Sequence, residues 1–315
     1  MTSLKRIVMN SSRVSYFTLA AYVDSGLLRY LFFMLVLSLY LLILCANVLL
    51  IVVICMNRSL HEPMYVFLCS LFVNELYGST GLFPLLLVQI LSDVHTVPDV
   101  FCFLQNFLLY SYGGAEYLNL AVMSYDRYLA ICCPLQYNTQ MTVNRIAILI
   151  SVTWFCPLLL CLVMTSLSNS LQLCGTIIEK VYCDNFSIVK LACSDTTVNN
   201  IYGLFVSSFS IFCPLILIFY SYIKILKICL SGSKGTRQKA VSTCAPHLAS
   251  LINFSCGACF EIMQSRFNMK TLPNVLRIFL SLYWLTCQPL LNPLVYGLTL
   301  SKMRIICKSL VFAEM

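Results

Sequence analysis

Two glutamates stand inside long apolar stretches of the chain, Glu75 within the second stretch and Glu116 within the third. A charge at the centre of a bilayer costs about 3 kcal/mol on insertion scales. Each glutamate must therefore turn towards a polar interior cavity. Two carboxylates on one cavity repel, and a shared proton or a bound cation relieves the repulsion. Asn47 in the first stretch and Asn292 in the seventh are their natural polar neighbours. Asp126-Arg127 closes the third stretch, where a long arginine side chain can snorkel to the membrane edge. Read alone, this is an interfacial ion pair, and adjacent residues on a helix do not face each other squarely.

Most of the 18 cysteines lie inside apolar stretches and read as small packing residues. Four do not: Cys102 opens the third stretch, and Cys174, Cys183 and Cys193 share one long loop. On a lumenal face these four thiols allow three pairings, and spacing chooses none of them. The histidines His61, His95 and His247 lie in separate segments, so a shared metal site is not expected.

These residues need elements to hold them. The chain has 315 residues, is 60% hydrophobic and only 10% charged. No water-soluble fold of this length hides so much apolar side chain. Seven segments reach the roughly 20 apolar residues that a helical span requires. They are Leu27–Met56, Met64–Leu91, Val100–Cys132, Ile146–Leu167, Val198–Cys229, Ala240–Gln264 and Leu272–Leu298. The fold class is an all-α membrane bundle of seven helices. Residues 1–26 form an N-terminal tail, 27–298 the bundle and 299–315 a short amphipathic tail. The tail places Met303, Ile306, Cys307 and Leu310 on one face, with Cys307 a candidate for palmitoylation. Residues 1–26 show no compact apolar core before a cleavage site, so the first span serves as its own insertion signal.

Seven spans put the ends on opposite faces. With the N-terminus outside, 11 of the 20 Lys and Arg residues face the cytosol, a weak bias. The basic run from Lys224 to Lys239, read as one short loop, adds weight. So does the sequon Asn10-Ser11-Ser12, which is usable only in the lumen. Asn185-Phe186-Ser187 is a second candidate acceptor. The formal charge of +8 is spread in short clusters, which speaks for anionic lipid and a cytoplasmic partner and against nucleic acid. A channel or transporter would show a continuous polar path or internal repeats, and neither is visible. Pro157, Pro214, Pro246, Pro289 and Pro293 fall in or near spans, where they kink helices and open crevices.

Asp126-Arg127-Tyr128, His61 to Tyr65, Lys239 to Leu248, Ser221-Tyr222 and Pro289 to Tyr296, taken together, resemble the motifs of the odorant receptors, which are rhodopsin-like G-protein-coupled receptors. Met123 to Cys132, with Asp126-Arg127-Tyr128 inside it, resembles the family's ending of the third helix. His61 to Tyr65 resembles the opening of the second, and Lys239 to Leu248, containing His247, the opening of the sixth. Pro289 to Tyr296, with Asn292-Pro293, is similar to the seventh-helix motif, and Ser221-Tyr222 to the inner end of the fifth. Glu75 and the Leu251–Phe254 wording look most like fish-type members. There are departures. Ala46-Asn47 replaces Gly-Asn, Glu75 stands where Asp is common, and Ser255 stands where many members have Tyr.

The resemblance implies disulfides Cys102–Cys183 and Cys174–Cys193, and a sodium ion between Glu75, Glu116 and Asn292. It assigns Asp126, Arg127, Tyr128, Tyr222, His247, Asn292, Pro293 and Tyr296 to an activation switch that engages a heterotrimeric G protein and raises cyclic AMP. It implies no enzyme activity and a plasma-membrane location. A non-olfactory chemosensor is the alternative. Counting helical turns from Arg127 puts Asn106, Leu109, Tyr110, Gly113 and Gly114 on the ligand side. Val206, Ser207, Ser210, Ser255, Cys259 and Leu282 complete the set. No charged residue is among them, which favours neutral amphiphiles as odorants.

Overall fold

The computed structural model describes residues 14–22, 26–231, 234–266, 273–300, 302–306 and 309. Seven long helices dominate them: α1 Leu28–Met56, α2 Pro63–Leu91, α3 Asp99–Cys132, α4 Val143–Asn169, α5 Thr197–Ser231, α6 Lys234–Arg266 and α7 Asn274–Thr299. At 1.5 Å per residue each is long enough to cross a hydrocarbon core of roughly 30 Å. Local chemistry sets several of the ends. Pro63 takes the first turn of α2, where its missing N–H costs nothing. The Thr142 side chain caps α4 by accepting from the Arg145 N–H at 3.4 Å.

The polarity is inside out. Leu31, Phe32 and Leu35 of α1, Phe155 and Leu159 of α4, and Phe212 and Ile216 of α5 are exposed. Asn47, Asn74, Glu75, Asn106, Glu116, Asp126 and Asn292 are buried. Water would reject that arrangement, whereas lipid requires it. Five of the seven helices are long and apolar enough by composition to span a membrane; α3 and α6 are not. The reason is position. α3 packs against α2, α4, α5 and α6, so protein rather than lipid faces most of its surface.

One expectation changes here. The basic run Lys224 to Lys239 is not a loop: α5 continues to Ser231 and α6 begins at Lys234. An apolar stretch measures the bilayer crossing, but a helix needs no apolar residues to continue past it. The tail before α1 contributes a strand. Tyr16–Leu19 (β1) pairs antiparallel with Thr96–Pro98 (β2) and parallel with Ile177–Ile178 (β3), giving the order β2-β1-β3. Alternation buries Phe17 and Leu19 against Val97, Ile178, Ile188 and the Cys102–Cys183 bridge.

Both disulfides pair as the resemblance implied, with Cα atoms 5.3 Å apart for Cys102–Cys183 and 5.6 Å for Cys174–Cys193. The first ties α3 to the long loop. Gln105 reinforces it, accepting from the Cys183 N–H at 2.9 Å and donating to the Gly81 carbonyl at 3.2 Å. The loop thus becomes a folded cover at one end of the bundle, carrying β3 and the short helix Asn185–Val189.

Candidate functional site

The middle of the bundle is a closed polar network. Glu75 of α2 and Glu116 of α3 are fully buried. Asn292 of α7 donates from one nitrogen to both, to Glu116 Oε1 at 3.0 Å and to Glu75 Oε1. Gln288 donates to Glu116 Oε1 at 3.1 Å, Asn74 to Glu116 Oε2 at 3.0 Å, and the Tyr112 hydroxyl to Glu75 Oε2 at 3.0 Å. Ser250 of α6 donates to Asn292 Oδ1 at 2.8 Å. Four helices therefore meet at two carboxylates. At ~5 Å and an effective dielectric of ~20, two full charges repel by ~3 kcal/mol, and neutral donors offset only part of that. Asn47, expected here, lies elsewhere. It donates to the Ile43 and Pro289 carbonyls, each at 2.9 Å.

Towards the disulfide end, a cavity of about 150 Å³ opens between α3, α5, α6, α7 and the covering loop. Leu109, Tyr110, Gly113, Gly114, Val206, Ser207 and Ser210 line it. At Gly113 a Cβ would stand in ordinary contact with the Trp284 ring, at 3.4 Å. Below the cavity, Trp284 and Phe254 pack on Tyr112 with ring centroids 6.1 and 6.0 Å away. The same Tyr112 holds Glu75, so cavity wall and polar network share one side chain.

Four expected lining residues do not reach the cavity. Asn106 turns towards α4 and the loop, donating to Thr165 Oγ1 at 3.5 Å and Asn185 Oδ1 at 3.4 Å. Cys259 is exposed. Leu282 packs into the apolar core, and the Ser255 hydroxyl accepts from Tyr117 at 3.4 Å. A count of helical turns fixes azimuth on one helix but not which neighbour fills that direction. Tyr117, Tyr182, Phe254 and Trp284 line the wall unannounced, as do two acids, Asp184 of the loop and Glu261 of α6. The acids overturn the expectation of an uncharged lining. The signal was available for Glu261, an ionisable residue inside an apolar stretch.

Lys180 meets these acids. It bonds Glu261 Oε1, lies 3.3 Å from Asp184 Oδ2 and donates to Ser265 Oγ at 3.0 Å. Burial alone would lower the Lys180 pKa, but the charges of Asp184 and Glu261 outweigh it and hold the ammonium above the ordinary lysine value. Asp184 also caps the helix Asn185–Val189 through the Ser187 N–H at 3.3 Å.

At the opposite end Arg127 pairs with Asp126, its Nε 2.9 Å from Oδ2. Tyr137, unforeseen, donates to Asp126 Oδ1 at 2.7 Å. Around this pair stand side chains without partners. The hydroxyls of Tyr222 and Tyr296 and both ring nitrogens of His247 are buried and unbonded. The His247 and Tyr296 rings meet edge to face at 5.4 Å.

A sequence model described as "Olfactory receptor" matches residues 36–313. The chain belongs to the olfactory receptor family. It is 35% identical over 297 residues to human olfactory receptor 10A6, covering 94% of each chain. Human olfactory receptor 11A1 is 35% identical over 286 residues, 90% of this chain and 89% of its own. Mouse olfactory receptor 6E1 is 34% identical over 291 residues, 92% of each. As a member the chain is a multi-pass membrane protein and an odorant receptor, not an enzyme.

In this olfactory receptor some expected modification sites are placed and others are not. Asn10, Cys307 and Leu310 lie outside the described residues. Asn185 is buried and accepts from the Ser168 hydroxyl at 2.7 Å, so its sequon is closed to a glycosyltransferase in the folded receptor. In the short tail helix, Met303 is fully buried on the bundle, and Lys302 pairs with Glu62.

Proposed function

We propose that a small, largely apolar odorant enters the cavity between α3, α5, α6 and α7, and that its binding shifts the bundle to a packing that engages a heterotrimeric G protein of the stimulatory type. One observation carries the reading. Phe254 and Trp284 of the cavity wall pack on Tyr112, and Tyr112 donates to Glu75 in the network that joins α2, α3, α6 and α7. A ligand that presses on these rings in one packing and not the other biases the equilibrium between them.

The responding end is built from unspent polar groups. Buried polar atoms without partners are uncommon in folded proteins, and here Tyr222, His247 and Tyr296 supply several beside Asp126-Arg127-Tyr128. When the Arg127 end of α6 swings out, Arg127 leaves Asp126 for Tyr222 and Tyr296. Pro293 beside Asn292 gives α7 its bending point, and the cleft so opened accepts a helix of the G protein. Disulfides persist in oxidising compartments, which supports a cavity end that faces the outside. The N-terminus, with Asn10 as a glycan acceptor, is then extracellular and the C-terminus cytoplasmic, in the plasma membrane. Glu75 and the α6 wording support a place nearer fish-type receptors.

The polar centre suits a sodium ion. Hard cations take oxygen ligands; Glu75 and Glu116 bring carboxylate oxygens together with no basic side chain among the described residues of the network, and Asn292 would add its amide oxygen by turning its side chain over. Asn74 Oδ1 and Ser79 Oγ are buried there on α2 without partners. A bound ion would supply positive charge between the acids. These side chains orient one another with or without it.

Expression with a cyclic-AMP reporter and an odorant panel tests the reading. Arg127→Ala should remove the ligand response while surface expression is kept. A mutant that signals like the parent overturns the switch.

A further inference from the structure

The charged end of the cavity is unbalanced. Among the described buried side chains here, Lys180 contributes one positive charge, and Asp184 and Glu261 contribute two negative ones; Lys190, exposed to solvent, reaches the Ser265 carbonyl, at 3.4 Å. An ammonium has three protons to donate, and Lys180 directs its own at Glu261 Oε1, Asp184 Oδ2 and Ser265 Oγ. Nothing remains for the other carboxylate oxygens. Glu261 Oε2 and Asp184 Oδ1 are both buried without a hydrogen-bond partner, and Asp184 is only 1% exposed. The Tyr182 hydroxyl stands beside Glu261 on the same wall, without a hydrogen bond of normal distance and angle. Both acids line the cavity. Their unmet need is for a donor that also carries positive charge.

We infer that the ligand of this receptor is a small organic ammonium ion, an alkylamine whose charged head seats between Asp184 and Glu261 while its chain lies along α3 and α5. The inference rests on the ligand reading of the cavity above and narrows it to a chemical class. An ammonium that displaces the side chains covering them satisfies both unpartnered oxygens and cancels the excess buried charge. The Tyr182 ring beside it presents an electron-rich face, which favours cations and already lies 5.6 Å from the Lys180 ammonium. Leu109, Val206 and Ile211 offer the alkyl chain an apolar wall. An alcohol has one proton and no charge, so it leaves one acid unmet. A carboxylate would be repelled by the pair. A hard metal ion would need about six oxygen ligands, and the facing wall is aliphatic and aromatic.

The test uses the purified full-length receptor in lipid nanodiscs, with hexylamine, hexanol and hexanoate as probes of one carbon skeleton. Binding is read from ligand-dependent thermal stabilisation. Hexylamine should bind at least tenfold more tightly than hexanol, and hexanoate least tightly. Glu261→Gln should weaken hexylamine about tenfold and hexanol less than twofold. Equal binding of amine and alcohol, preferred binding of the acid, or no binding by the amine each overturns the inference. Should Glu261→Gln fail to fold, the three wild-type affinities still decide. The cyclic-AMP reporter separates the two claims. Amine binding without a signal retains the ligand class and removes the signalling role of the cavity. A signal from hexanol but not hexylamine does the reverse.

Discussion

Pro293 has no N–H to offer the carbonyl of Pro289, one turn back, and in a bilayer no water replaces it. Asn47 of α1 supplies the missing donor at 2.9 Å. That explains why Asn47 is absent from the carboxylate network, and how α7 accommodates Pro293. Lys180 illustrates the opposite situation, a buried charge that answers to more than one partner. Its raised pKa keeps it protonated throughout the physiological range, so no change of charge at this lysine is expected between pH 5 and 9. Removing it should be costly: a buried ion stripped of its partner loses about 3–5 kcal/mol. Lys180→Met should lower the melting temperature of the receptor clearly, and adding Glu261→Leu should restore part of the loss. A single mutant as stable as the parent would mean that the acids do not depend on it.

Helix pairs are held together by close approach as well as by bonds. At Gly257 of α6 a Cβ would stand 2.6 Å from Trp284 Cβ and 3.0 Å from Trp284 Cα of α7. Backbone cannot rotate away as a side-chain tip can. Gly257→Ala should therefore separate α6 from α7 and cost about 1–3 kcal/mol, the usual range for overpacking. Because Trp284 also lines the cavity, the mutant should lose ligand potency beyond its loss of surface expression. Measuring both in one cell line checks this, and unchanged potency would show that α6 and α7 have slack. Gly78 makes a similar contact with the Tyr112 ring, its Cβ position lying 2.4 Å from a ring carbon. The residue that links cavity and network is thus wedged against α2.

The topology proposed above, with the two ends of the chain on opposite faces, belongs to the whole molecule. Epitope tags at the two termini should stain differently in intact cells, with the N-terminal tag accessible and the C-terminal tag only after permeabilisation. Both tags on one face would undo the topology. The apolar runs were readable because bilayer thickness imposes a length on every lipid-facing helix. The ends of α5 and α6 were less readable, since a helix leaves the membrane without any change of backbone. The motifs around Arg127, His247 and Asn292 were legible because each is contiguous in the chain.

The order of apolar stretches and motifs along the chain determined where the long helices lie, the burial of Glu75 and Glu116 inside the bundle, and the family. Hydrocarbon tolerates so few arrangements of polar groups that the linear pattern leaves little choice. Which residues share the cavity was decided only in three dimensions. Asn106 turned away to Asn185, and Asp184 and Glu261, 77 positions apart by subtraction of their numbers, were brought together on Lys180. A folded loop, two disulfides and the packing angle of α6 set those neighbours. No periodicity along a single helix encodes them.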